Sequence, residues 1–235
     1  MQARIKSKRE LAKGTLLVEL DLSPHTVTFK AGQFFCLNLV NPPYNDDKGT
    51  RRFFSIVSSP KEKSTLALAT RLRDSAFKKS LQELSVGAEV DIEYIKGKFL
   101  LPEDQSRPLV FIAGGIGITP FICMLRYIQE ESLSYKVTLL YSNRNRASTA
   151  FFEELREMAD QNQNCKLVLT MTEDPSWDGE RRRIDANFIR DHVANPEACT
   201  YYIAGPSAMV KAMTQVLSEI GIGKSRIVTE DFTGY

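Results

Sequence analysis

From the first residues to about Leu101 the apolar positions recur in short alternating runs. These are TLLVELDL (15–22), HTVTF (25–29), QFFCLNLV (33–40), FFSIVSS (53–59), TLALATRLR (65–73) and AEVDIEYI (88–95). Gly, Pro, Asn or Asp stands between them. Alternation of period two between turn residues predicts about six short strands, and so a small antiparallel barrel or sandwich. SAFKKSLQEL (75–84) has a different period: Phe77, Leu81 and Leu84 fall at i, i+4 and i+7, which predicts a helix.

The rhythm changes after PEDQSRP (102–108), a polar segment bracketed by Pro102 and Pro108 that reads as a linker. Beyond it, buried-type strands (PLVFIAG, KVTLLYS, KLVLTMT, TYYIAG, RIVTEDF) alternate with amphipathic helices (TPFICMLRYIQEE, TAFFEELREMADQ, DANFIRDHV, SAMVKAMTQVLSEIG). Such alternation implies a parallel sheet covered on both faces. The expected architecture is an all-β antiparallel barrel over residues 1–103, followed by an α/β doubly wound parallel-sheet domain over residues 107–235.

Composition narrows the chemistry. A formal charge of +2 gives no field of the size that nucleic acid demands. The basic start, MQARIKSKRE, is not followed by the apolar core of a signal peptide. No window approaches the ~18–20 consecutive apolar residues of a transmembrane helix, so a cytoplasmic protein is expected. The cysteines Cys36, Cys123, Cys165 and Cys199 lie far apart, which excludes a CxxC zinc or redox motif and a sequence-local iron–sulfur run. With His25 and His192 as the two histidines, a His-rich metal site is excluded as well. An organic cofactor is the expected carrier of any chemistry.

Two stretches are candidates for holding one. LVFIAGGIGITPF (109–121) places Gly114, Gly115 and Gly117 where a strand gives way to a helix. Glycines there let a backbone approach a pyrophosphate, and the helix start offers unpaired N–H groups; a tight turn needing positive φ would use the same residues. Thr119 followed by Pro120 fits an N-cap with proline at the first helical position. TYYIAGPSAMVKAM adds a second such turn at Gly205 and Pro206. Ligands of open α/β sheets collect outside the carboxyl ends of the strands, so the pair favours one extended nucleotide crevice. RRFFSIVSSP (51–60) sets guanidinium groups, aromatic rings and a hydroxyl side by side, with no acidic residue among them.

RFFS (Arg52–Ser55), GGIGITP (Gly114–Pro120), AGP (Ala204–Pro206) and EDFTGY (Glu230–Tyr235), in that order, resemble the ferredoxin–NADP reductase superfamily of flavin-dependent electron-transfer enzymes. The resemblance covers essentially the whole chain. It implies a flavin-binding barrel followed by a pyridine-nucleotide domain, with FAD favoured over FMN. By the family's R-x-[YF]-[ST] motif, Arg52 binds the flavin phosphate, Phe54 (with Phe53 beside it) lies along the ring and ribityl chain, and Ser55 sits near flavin N5. A guanidinium fork on phosphate oxygens and an apolar wall against a flat ring suit those roles. Phenylalanine in place of the commoner tyrosine removes one hydroxyl.

RLRDSAFKKSL (71–81) is similar to the second flavin segment, which makes Ala76, Phe77, Lys78 and Ser80 candidates for the pyrophosphate. IKGKF (95–99) resembles a barrel-closing structural element. In EDFTGY the resemblance implies that Tyr235 or Phe232 stacks on the flavin and that Glu230 lies near the reaction centre.

YSNRNRAS (141–148) follows the second strand of the nucleotide domain, where the adenosine ribose is read. It offers Ser142, Arg144 and Arg146 and no carboxylate before Glu153, so NADPH is favoured with NADH as the alternative; a solvated basic loop would look the same. ERRRI (180–184) is a further source of charge. The implied reaction is hydride transfer from the nicotinamide to the flavin, with Ser55 and Thr119 flanking the junction and Glu230 and Tyr235 beside it. Electrons then pass singly to a separate acceptor protein such as a ferredoxin, flavodoxin, cytochrome or oxygenase component. The alternatives are an electron-transfer component of a larger dehydrogenase complex, or a non-catalytic flavin or nucleotide sensor.

Overall fold

A computed structural model describes residues 1–232. Its first half contains β1 (Gln2–Ala12), β2 (Thr15–Asp21), β3 (Phe34–Leu39), β4 (Arg51–Ser55), β5 (Thr65–Arg71) and β6 (Glu89–Lys96). They form one antiparallel sheet in the order β4-β3-β6-β1-β2-β5. The two sheet edges meet just past β4. There the Val57 N–H donates to Ala67 O at 2.9 Å and the Ala67 N–H to Ser58 Oγ at 3.1 Å, so the sheet curls into a barrel.

One strand differs from expectation. HTVTF forms none, since of its residues only Phe29 is buried, and β1 occupies the place it was given. β1 turns Ala3 and Ile5 inward but fills its remaining positions with Arg4, Lys6, Lys8, Arg9 and Glu10 among others. Pairing with β2 and β6 overrides a charge-rich composition that strand propensity disfavours. The helix α1 (Ala76–Glu83) forms where its period predicts. Ser75 caps it by accepting the Lys78 N–H at 3.3 Å, and Lys8 Nζ donates to the terminal carbonyls of Leu81 (3.3 Å) and Gln82 (2.7 Å).

The second half alternates β7 (Leu109–Gly114), α2 (Thr119–Glu130), β8 (Val137–Asn143), α3 (Phe152–Gln161), β9 (Cys165–Met171), α4 (Ala186–His192), β10 (Thr200–Pro206), α5 (Ser207–Glu219) and β11 (Ile227–Phe232). All strand pairs are parallel, in the order β11-β10-β7-β8-β9. β7 is central and buried throughout. Leu109, Phe111 and Ala113 join the core that runs on into the barrel, while Val110 and Ile112 face a second core under α4 and α5. Strand order reverses between β7 and β10, and the crevice of such a sheet opens there, outside the carboxyl ends.

The barrel and the sheet share an aromatic junction. Phe99, from IKGKF, packs edge-on against Phe121 (5.5 Å between centroids) and Tyr202 (5.2 Å), and the Tyr202 hydroxyl donates to Leu100 O at 2.7 Å. Among the described residues no helix is long and apolar enough to cross a membrane.

Candidate functional site

β4, the α1 start, the β7–α2 turn and the end of β11 converge on one cleft of about 710 Å³, walled by both halves of the chain. Arg52, Phe53, Phe54, Ser55, Lys78, Thr119 and Glu230 of the sequence-derived set line it, and so does Phe232.

Arg52 is held in place before any ligand arrives. Its Nη1 donates to the carbonyls of Lys48 (2.9 Å), Gly49 (3.0 Å) and Arg51 (2.6 Å), and its guanidinium lies 5.2 Å from the Phe77 ring centroid. Arg73 and Lys78 stand nearby on the approach to α1 and on its first turn. Burial first, and the charges of Arg73 and Arg52 second, push the Lys78 ammonium down to about 8. Three cations gathered at a capped helix start form a site for a polyanion. Replacing Arg52 by leucine is expected to loosen flavin about tenfold, since it removes charge-assisted bonds. Flavin content after dialysis checks this, and wild-type retention would count against the role.

The aromatic residues divide by strand alternation. Phe53 is 55% exposed, edge-on to Phe34 at 5.7 Å and near Tyr94 at 6.0 Å. Phe54 is buried against Phe35 and Phe77. The open aromatic surface in the cleft is thus chiefly that of Phe53, with Phe34 and Phe232 beside it and Phe54 buried behind. Phe77 is core, and Ser80 lies away from the cleft, where its hydroxyl accepts from the Tyr44 N–H and donates to Tyr44 O, both at 2.9 Å. Ala76 is the first residue of α1 and does not line the cleft.

Between the two walls, Ser55 Oγ on β4 donates to Glu230 Oε1 on β11 at 3.1 Å. Among the described residues Glu230 Oε2 is buried without a partner. Burial raises the carboxyl to about 7 against the opposing bond from Ser55, and the neighbouring Asp231 charge adds to the rise. Thr119 departs from expectation. Residues 115–118 form a 3-10 turn that leads directly into α2, so Thr119 is the first helical residue, with Pro120 second and no side-chain cap. Its hydroxyl donates to Ile116 O at 3.0 Å.

The glycines serve close approach. A Cβ on Gly114 would meet Met209 Sδ, and one on Gly117 would meet Ala204 O, so both press the first turn against the β10–α5 turn at Gly205 and Pro206. Gly115 has φ +54° with open space where its Cβ would stand, a cradle of the kind a phosphate occupies. Ser142 pairs beside Gly114 in the sheet.

At the ribose corner Arg144 is well exposed, with its Nε 3.8 Å from Glu173 Oε1. Arg146 pairs with Glu153 at 3.2 Å and donates its N–H to Asp174. The carboxylates of Glu173 and Asp174 come from beyond β9, so the loop's own sequence did not show them. Arg182 of ERRRI is taken up by Glu180 and Asp191. Tyr235 lies outside the described residues.

Sequence reasoning missed Phe34, Arg73, Ser75, Lys96 and Ile116 as lining residues. Arg73 and Ser75 lie inside a segment already singled out, and the capping sequence Ser75–Lys78 was the signal for them. Phe34 and Lys96 form one cross-strand pair, visible only once β3 and β6 are in register. Among the described residues no cluster of His, Cys, Asp or Glu could hold a metal.

A cleft walled by a barrel and by the switch point of a parallel sheet, with a polyanion site and a glycine cradle, has the form of a dinucleotide-binding site. Residues 111–215 match the oxidoreductase NAD-binding domain family. The flavohem-like FAD/NAD-binding domain of nitric oxide dioxygenase from Vibrio cholerae superposes with a TM-score of 0.86, covering 98% of each chain at 19% identity. A ferredoxin NADP+ reductase from Neisseria gonorrhoeae with bound FAD and NADP gives 0.83, again over 98% of each chain, at 21% identity. The fold is the one these two structures have, a barrel followed by a parallel-sheet domain, as the motifs implied. A component of the Na(+)-translocating NADH-quinone reductase of Haemophilus ducreyi is 24% identical over 92% of this chain, which spans 59% of that relative's length.

Proposed function

We propose that residues 1–103 hold FAD and residues 107–235 bind a nicotinamide nucleotide, NADPH in preference to NADH, and that electrons leave to a separate acceptor protein such as a ferredoxin, flavodoxin, cytochrome or oxygenase component. The observation that carries this reading is the cleft in which a polyanion site and an aromatic wall of the barrel meet the β7–α2 turn and Glu230 of the sheet, with Ser55 bonded to Glu230 across it. Three cations and a helix start suit the pyrophosphate of FAD better than one phosphate. When bound, the flavin supplies acceptance of a hydride from the nicotinamide and its release as single electrons.

The chain's own part is to bind and orient. Arg52, Arg73 and Lys78 take the phosphates, Phe53 and Phe34 offer apolar surface, and Gly115 with the Gly205–Pro206 turn leaves room for the nucleotide backbone. Ser55 and Glu230 hold one proton at Glu230 Oε2 that is exchangeable near neutral pH. Arg144, weakly tied to Glu173, is the reader proposed for a 2′-phosphate.

Anaerobic addition of NADPH and NADH to separate flavin-loaded samples tests the proposal. Bleaching favoured by NADPH, with the preference reduced about fivefold or more in Arg144→Ala, is the expected result. Bleaching by NADH alone would discard the nucleotide preference, and bleaching by neither would leave a flavin sensor. A second reading, the electron-entry module of a larger assembly, is favoured by the match to the quinone-reductase component and the 59% of it that the chain spans; a stable complex with a quinone-reducing membrane partner would support it.

A further inference from the structure

We propose that Arg126 and Glu154 are positioning residues that seat helix α2 on the barrel and so set the alignment of the two cleft walls; this rests on the reading of the cleft as the flavin–nicotinamide junction. Helix α2 begins in the cleft with Thr119 and then lies across the barrel. Cys123, Arg126 and Glu130 form one stripe of it at spacings of three and four. Each meets the short segment 57–59. Cys123 Sγ donates to Ser58 O at 3.1 Å, Arg126 Nη1 donates to Val57 O at 2.8 Å, and the Ser59 hydroxyl donates to the Glu130 carboxylate.

That segment begins two residues after Ser55 and also closes the barrel through Val57 and Ser58. Three residues therefore join the wall bearing Ser55 to the helix bearing Thr119. The contact to Val57 O requires the guanidinium to face one way. Glu154 on α3 enforces this by taking Arg126 Nε at 2.7 Å and Nη2 at 3.0 Å, a two-point grip that leaves Nη1 for the barrel. Both side chains are largely buried, at 22% and 32% exposure, and Arg126 also lies 5.7 Å from the Phe151 ring centroid. The shared core and the aromatic junction already hold the halves together. The grip is polar, directional and one helical turn from Cys123, which is suited to fixing a register.

Alignment matters more than affinity for transfer between two bound rings, where a shift of about 1 Å can cost up to ~100-fold. Glu154→Gln, which keeps volume, and Arg126→Met are made in the flavin-loaded full chain. Four quantities are measured: flavin content, the flavin difference spectrum induced by oxidised nucleotide, that nucleotide's Kd, and the limiting bleaching rate with the nucleotide that reduces wild type. Hydrogen exchange over residues 53–60 is followed as well. The expected result is a Kd within about twofold of wild type, a weakened difference spectrum, a bleaching rate lower by about 10–100-fold, and faster exchange at residues 57–59. Wild-type spectrum and rate in Glu154→Gln, with lowered thermal stability alone, would overturn the proposal and leave a structural tie. A wild-type protein that no nicotinamide nucleotide bleaches would instead overturn the functional reading beneath it.

Discussion

Alanine at Gly117 is expected to unseat the nucleotide crevice, whereas alanine at Gly114, three residues earlier, is expected to be tolerated. A Cβ on Gly117 would lie 2.2 Å from Ala204 O, 2.5 Å from Ala204 C and 2.7 Å from Gly205 Cα. These are backbone atoms of β10, pinned by pairing with β7 on one side and β11 on the other. They cannot withdraw without opening the sheet at its switch point. A Cβ on Gly114 would also come close to another atom, Met209 Sδ at 2.1 Å, but that atom belongs to a flexible side chain that can swing away. Gly115 is intermediate: alanine there meets nothing, yet must hold φ +54° at a cost of about 1–2 kcal/mol.

Overpacking against immovable backbone reaches about 3 kcal/mol or more. Gly117→Ala should therefore lose that much stability in urea unfolding, together with nucleotide binding, while Gly114→Ala stays within about 1 kcal/mol of wild type. Equal stabilities for the two variants would refute the close-packed account of this turn.

The sequence made the architecture legible because both periods are strong where a face is buried. β7 reads as a continuous apolar run since it has a core on each side, and α2 shows its helical period because one face meets the barrel and another the sheet. β1 was hidden for the opposite reason: its pairing, and not its composition, makes it a strand. Within the site, the residues that share a motif were visible. Arg52, Phe54 and Ser55, which line the cleft, sit on one strand. What stayed out of reach was anything that depends on two distant segments. Phe34 and Lys96 become neighbours only through the β3–β6 register, and Glu173 reaches Arg144 only because parallel strands bring the ends of β8 and β9 together. Thr119 shows a third limit. The Thr-Pro pair signals a helix start, but the 3-10 turn before it moves the start back by one turn and removes the cap.

Glu230→Gln is expected to abolish a pH dependence that wild type carries between about 4.5 and 7. In the folded protein the Glu230 carboxyl is raised to about 7 from its ordinary 4.5, chiefly by burial, with Ser55 opposing and Asp231 assisting. A raised value means that the folded state holds this proton more tightly than the unfolded chain does. The group's favourable contribution is fully present below pH ~4.5 and is lost as pH rises through ~7, so stability falls over that interval. Above it, the folded protein carries a half-buried carboxylate with one oxygen, Oε2, lacking a partner among the described residues. Glutamine keeps the shape and the bond from Ser55 without ever taking that charge. The variant should thus gain on wild type with rising pH, ending about 1–3 kcal/mol more stable at pH 8 and losing the gain by pH 4.5.

Subtracting the two urea-unfolding series, measured from pH 4.5 to 8.5, cancels every other titrating group and isolates this one. A difference that stays flat across the range would mean that Glu230 titrates normally. The same proton has a kinetic consequence. Glu230 lines the cleft beside Ser55, so flavin reduction in wild type should show an apparent pKa near 7 that the variant lacks. A rate profile with the same inflection in both proteins would assign that pKa to another group and restrict Glu230 to stability alone.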